Sequence, residues 1–285
     1  MTFQLHPVFR HVIGDYGWLE PCLVPGPDSA VLTVGELARP GTIDACLAAA
    51  AARFPMGNRR FEAQVWWFSA INSLVVPAVD AMVEYSAAAS LDIGCGQLFV
   101  RHTSSGSGQA EQPYYWMGFT PRVDDGADGD DPAVWHRAGR ELAASLGPLV
   151  ECLCEHAGLR PGPLWAIVGD GLSGAAAAAG NHAFDPYRGV HVGLELNRGL
   201  ADGVGGSVVL PPPRFIDVCD GVIRATDTAA AEKGVDSPDV HTAIRRNSCC
   251  MIYHNPSSDK CVSCPKKTPA EKDRDLLAYV SSMEP

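Results

Sequence analysis

Basic residues are scarce in this sequence. Lys and Arg number 22 against 33 Asp and Glu, which leaves a formal net charge of −11. A nucleic-acid partner wants a basic face, and this balance argues against one. The charge otherwise speaks for solubility and for a mild preference for neutral or cationic ligands. The N-terminus, Met1 to Val12, has no basic stretch followed by an apolar run, so no signal peptide is expected. No transmembrane segment is expected either: the nearest candidate, Gly171 to Phe184, is short and mostly Ala and Gly. There is no internal repeat. What is present is the composition of an ordinary globular protein, 46% hydrophobic and 19% charged over 285 residues, enough for one large domain or two smaller ones. A cytoplasmic location is expected, and there the ten cysteines read as thiols or metal ligands rather than disulfides.

Turn-forming residues punctuate the chain. Residues 1–41 are rich in Pro and Gly and predict irregular structure with one or two short strands. Thr42 can cap a helix running to about Phe54, stopped by Pro55. The strongest helical signal follows Asn58: Phe61, Val65, Phe68, Ile71, Val75, Val79 and Met82 recur at spacings of three and four, with Pro77 as a kink point. Trp66 lies off that face and is read as core packing on a second buried side. Leu91 to His102 and Tyr114 to Thr120 predict a hairpin joined by the polar loop Thr103 to Gln112. Asp131-Pro132 starts a helix to about Ala157, bent at Gly147-Pro148 and stopped by Gly158. Beyond Asn197, frequent Gly and Pro predict loops with short strands. Thr268-Pro269-Ala270-Glu271 is a capping box that starts a last helix to about Ser282.

Two patterns imitate known sites. The acidic run Asp124 to Asp131 lacks calcium-loop ligands, with Gly126 and Trp135 at ligand positions, and reads as a solvated linker. Gly169-Asp170-Gly171-Leu172-Ser173-Gly174 fits G-x-G-x-x-G, with Leu164 to Val168 and Val190 to Leu196 as flanking strands. No further βαβ units surround it, so the preferred reading is a helix from about Pro163 to Gly180 with small residues packed closely on a neighbour.

Six cysteines look structural. Cys152 and Cys154 are two apart on a predicted helix and face different ways. Cys22, Cys46, Cys95 and Cys219 stand alone and read as small buried hydrophobes. The other four, Cys249, Cys250, Cys261 and Cys264, form Cys-Cys, ten residues, then Cys-x-x-Cys. Soft thiolates in that density select zinc, copper(I) or an iron–sulfur centre. Adjacent residues of an extended chain point in opposite directions, so Cys249-Cys250 reaches a single small ion only through an unusual turn. A two-iron cluster has four terminal thiolate positions on two irons and accepts such a pair more easily. The chemistry favours iron–sulfur and leaves structural zinc open.

The same segment resembles the C-terminal motif of the FhuF-type ferric siderophore reductases. Arg246, Ser248, Cys249, Cys250, Tyr253, Pro256, Cys261, Cys264 and Pro265 look like that family's pattern, while His254 and Lys266 stand where Arg and an apolar residue are expected. In the body, Leu164-Trp165 followed by small residues resembles a helix shared with part of the siderophore synthetases. The resemblance implies a [2Fe-2S] cluster on Cys249, Cys250, Cys261 and Cys264 and cytoplasmic one-electron reduction of iron held by an imported siderophore. The expected partners are a ferric siderophore, of the hydroxamate type, and an electron donor that is ferredoxin-, flavodoxin- or reductase-like. Arg245, Arg246, Lys260, Lys266 and Lys267 crowd this stretch of an otherwise acidic chain, either tuning the cluster or as a solvated basic surface.

The expected fold is α+β: a helix-dominated body with a small antiparallel sheet over residues 1–240, then a cluster-binding segment and terminal helix over 241–285. The siderophore is expected in a cleft between the two. Two alternatives stand beside the reductase: a siderophore- or metabolite-binding protein with structural zinc, and an iron–sulfur electron carrier or redox sensor.

Overall fold

A computed structural model describes residues 4–101 and 117–283. Proline starts most of the long helices. Pro7, Pro40, Pro132, Pro161, Pro186 and Pro269 each stand at the first helical position, where the missing N–H costs nothing and the fixed φ is already helical. This corrects the reading of residues 1–41 as irregular. They hold α1 (Pro7–Asp15), α2 (Glu20–Leu23), β1 (Ser29–Leu32) and α3 (Val34–Leu37), and α4 (Pro40–Arg53) begins at Pro40 rather than behind a Thr42 cap.

Helix α5 (Arg59–Tyr85) is the spine of the core. Asn58 accepts from the Arg60 N–H as its N-cap, as expected, and the helix runs on through Pro77. Trp66 and Trp67 are fully buried, so the helix is covered on both sides. By length and composition α5 could cross a membrane, which the sequence reading overlooked, but 78% of its apolar window is buried inside the fold, as befits a core helix. Strands β2 (Gln97–Arg101) and β3 (Met117–Thr120) pair antiparallel as the expected hairpin, and β1 adds a third strand on β2. The loop Thr103 to Gln112 lies outside the described residues.

Helices α6 (Pro132–Ala157), α7 (Pro161–His182) and α8 (Pro186–Val204) complete the helical layer. The expected α6 cap is present: Asp131 accepts from Ala133 N, and Gly158 closes the helix in the left-handed region. The G-x-G-x-x-G stretch lies inside α7, and Val190 to Leu196 inside α8, so no strand–turn–helix exists there. Helix α8 also corrects the loop reading after Asn197. Its glycines are contact points rather than breaks: a side chain at Gly199 would collide with the His136 carbonyl of α6, so Gly allows the two backbones to touch.

The chain then forms β4 (Phe215–Cys219), β5 (Val222–Ala225), α9 (Thr228–Glu232), β6 (His241–Ile244) and, after the cysteine segment, α10 (Pro269–Ser281) with the expected Thr268–Glu271 capping box. A second antiparallel sheet, ordered β5-β4-β6, extends the expected α+β fold. Buried Asp217 ties it together, accepting from Thr226 Oγ1 at 2.7 Å and Thr242 Oγ1 at 2.9 Å. Asn181 of α7 bonds both the N–H and the carbonyl of Thr242, which fixes β6 on α7. Leu276 of α10 packs on Ile216 and Val218. Cys22, Cys46 and Cys152 are buried as expected, whereas Cys95 is exposed, its thiol 2.9 Å from Asp92 Oδ2, and Cys219 is half-buried.

Candidate functional site

A single carboxylate in α7 fastens the cysteine segment to the body. Asp170 accepts from Asn247 N at 3.0 Å, Ser248 N at 2.7 Å and Ser248 Oγ at 2.6 Å. Arg246 Nε lies 3.8 Å from its Oδ2, with the two side chains 7% and 6% exposed. The Arg246 guanidinium sits 4.5 Å over the Phe68 ring of α5, a favourable place for a buried cation. Its Nε has no hydrogen-bond partner, and its Nη1 reaches Cys261 Sγ at 3.8 Å.

From there the chain turns sharply. Gln64 Nε2 of α5 donates to the Cys249 carbonyl at 2.6 Å. Met251 adopts φ 64, the left-handed region that a non-glycine residue rarely occupies, and its N–H points to Cys249 Sγ at 3.4 Å. The left-handed turn thus follows directly on the adjacent cysteines. Farther on, His254 stacks on Phe61 with centroids 4.0 Å apart, and Cys264 N closes a turn on the Cys261 carbonyl at 3.1 Å.

The four thiols arrive as two couples. Cys250 accepts from the Cys261 thiol, which draws Cys250 down to about 6 and pushes Cys261 well up. Cys249 lies beside Cys264; burial chiefly, and that neighbour in addition, push its thiol up, while Arg246 opposes the shift. The crowd of basic residues sorts itself out as well. Arg245 pairs with Asp273, Lys267 pairs with Asp275 at 2.6 Å, and Lys260 Nζ donates to the Lys266 carbonyl. Among the described residues, Arg246 is the cation whose side chain reaches a thiol.

Beside the segment lies a cavity of about 1030 Å³, at the upper end of what small-molecule sites occupy. One wall is the small-residue face of α7, including Gly174 and Ala178. A second is α5 at Asn72, Val76 and Asp80. A third comprises Arg246, Val262 and Ser263, so the residues between Cys261 and Cys264 face the cavity directly. At 52% and 92% exposure, Trp18 and Phe184 help form its apolar lining.

Residues 246–266 match the family model described as the FhuF 2Fe-2S C-terminal domain. The segment is similar to a FhuF-type 2Fe-2S domain. The match runs from Arg246 to Lys266 and so takes in all four thiols. No curated protein and no solved structure matches the chain.

The cofactor of a FhuF-type domain of this kind is a [2Fe-2S] cluster, and the donor set fits it. A tetrahedral zinc would draw all four sulfurs to one point. Among the described residues no three of His, Cys, Asp and Glu are set to hold one metal ion. Four clustered thiols suit two irons with two terminal thiolates each, and the unsatisfied Arg246 Nε beside them supplies positive charge where a cluster brings negative charge. The sequence reading thus names four residues that the fold brings together. It missed Asp170, Gln64 and the cavity. Asp170 did carry a signal: it is the sole acidic residue of α7 and sits in the small and apolar stretch before Asn181 and His182, a position that a carboxylate rarely occupies without partners.

Proposed function

We propose that this chain reduces iron(III) held in a siderophore, with Cys249, Cys250, Cys261 and Cys264 as the cluster ligands. The observation that carries this is the shared wall: Val262 and Ser263 of the FhuF-type domain line a cavity of about 1030 Å³ beside the thiols. When bound, the cluster supplies a single electron that turns the siderophore's Fe(III) into Fe(II) and is replaced by an external ferredoxin-, flavodoxin- or reductase-like donor. Hard chelator oxygens hold Fe(III) tightly and Fe(II) far less, so one electron frees the metal and leaves the chelator intact.

The protein residues bind and orient. The α7 face of Gly174 and Ala178 leaves room for a bulky complex, and the exposed rings of Trp18 and Phe184 cover its methylene chains. Arg246, held by Asp170 and Phe68, keeps positive charge beside sulfur, which stabilises the more negative reduced state. A hydroxamate complex suits this reading: three hydroxamates neutralise Fe(III), whereas three catecholates leave a trianion that the net charge of the chain disfavours. The reaction is assigned to the cytoplasm, where cysteines remain reduced.

The test is a stoichiometric reduction. The chemically reduced protein is mixed without air with a ferric trihydroxamate and an Fe(II) trap. One trapped Fe(II) per chain is expected. No trapped Fe(II), from this or from ferric catecholate or citrate, would replace the reductase with a carrier or sensor.

A further inference from the structure

The cavity is electrically lopsided. Arg214, Arg245, Arg246 and Lys272 are among its lining residues, and Arg246 belongs to the segment that carries the thiols. Along α5, Asn72, Val76 and Asp80 recur every fourth residue and face the same space. Phe68, under Arg246, and Asp80 are separated by about 18 Å of helix. One turn beyond Asp80 stands Glu84, its side chain 8% exposed, which accepts from the Tyr16 hydroxyl and lies 3.0 Å from His182 Nδ1. Tyr16 and His182 themselves line the cavity.

Asp80 is 4% exposed, lines the cavity and makes no hydrogen bond or ion pair among the described residues. Burial and the nearby Glu84 push its carboxyl well up. Arg188 caps the Met82 and Val83 carbonyls, but it is paired with Asp130 and lines no part of the cavity. Without a partner the buried carboxyl is held neutral, and a cation arriving from the cavity it faces would favour its ionised form and pair with it. A metal ion does not suit it, since no three His, Cys, Asp or Glu side chains converge among the described residues. An alkyl ammonium does. Tyr16 and Trp18 meet edge to face at 6.4 Å nearby, and Phe184, at φ 56, keeps its ring exposed in a strained backbone conformation. Aromatic surface beside carboxylate suits a methylene chain ending in a cation.

We infer that Asp80, with Glu84 behind it, is a subsite for the terminal primary ammonium of a linear ferric hydroxamate, whose chelate end lies toward Arg246 and Ser263. This rests on the reductase reading above and adds to it a specificity determinant. Linear chelates with a free amine are preferred over the same chelates with the amine blocked.

Gallium(III) complexes separate binding from electron transfer, because gallium(III) is not reduced under these conditions. The gallium complexes of desferrioxamine B, which ends in a primary amine, and of its N-acetyl derivative are titrated calorimetrically into the cluster-loaded, oxidised full chain. The free-amine complex is expected to bind at least tenfold tighter. Asp80→Asn is expected to remove that preference while leaving the affinity for the acetylated complex within twofold. The comparison of the two ligands uses the native chain, so it does not depend on the variant's folding. Equal binding of both complexes, a preference that survives Asp80→Asn, or no binding of either overturns the subsite. The matching ferric complexes are then mixed with reduced protein. If both release Fe(II) alike, the reductase stands without the subsite; if neither does, the reductase reading itself falls.

Discussion

The Asp170 carboxylate holds Ser248 twice, by its N–H at 2.7 Å and by its hydroxyl at 2.6 Å. One α7 side chain thereby fixes the residue just before Cys249, and its charge opposes the buried Arg246.

Asp170→Asn is therefore expected to damage the cysteine segment more than the body. It weakens bonds to a charged acceptor, worth roughly 1.5–3 kcal/mol each, and leaves Arg246 buried without its counter-charge. A loss of about 3 kcal/mol or more is expected, read as a lower urea midpoint, together with substoichiometric iron and sulfide. An unchanged midpoint and full iron content would show that Asp170 is not the anchor.

Replacing Cys249, Cys250, Cys261 or Cys264 with Ser should remove or disrupt the cluster, because each is proposed to supply one of four terminal thiolates. Replacing buried Cys22, Cys46 or Cys152 should leave the visible spectrum intact and at most loosen the core. Iron and sulfide analysis beside the absorption spectrum checks this. A Cys152 variant that lost the spectrum, with Cys249→Ser unchanged, would overturn the ligand set.

Charge near sulfur points to Arg246 rather than to the lysines. The sequence suggests Lys266 and Lys267 as tuning residues, but Lys267 is committed to Asp275. Arg246, by contrast, is buried within reach of Cys261 Sγ. Arg246→Gln should lower the cluster potential and Arg246→Lys should restore part of it. Lys266→Gln should shift it little, and less at high salt, if its charge is solvated. A redox titration of the folded variants decides. A larger shift for Lys266→Gln than for Arg246→Gln would contradict the assignment.

Ala178 offers a way to fill the cavity without touching the core, since it is exposed on α7 and lines the cavity. Ala178→Trp should leave cluster content and the melting temperature near those of the parent and should weaken ferric hydroxamate binding at least tenfold. Unaltered binding would mean that the complex docks elsewhere.

Local signals carried much of this fold. Asn58 with its apolar stripe marked α5, and Thr268 with Glu271 marked α10, because a cap and a period lie within a few residues. Proline and glycine misled in opposite directions. Pro7 and Pro21 begin helices in a stretch read as irregular, and the α8 glycines serve contact with α6, which no local window reveals. The four thiols were legible because ligand spacing is short. Asp170 and Asp80 were not: the first is explained by a partner 78 residues away, the second by a cavity assembled from α5, α7, β6 and the cysteine segment.

The central claim is that the ferric complex reacts in the cavity beside the cluster domain. Rapid mixing of the reduced protein with a ferric trihydroxamate, with and without an excess of its gallium analogue, tests it most directly. Return of the oxidised cluster spectrum, matched one for one by trapped Fe(II) and slowed by gallium, is the predicted result. A spectrum that stays reduced for hours, or that returns at a rate indifferent to gallium, would contradict it.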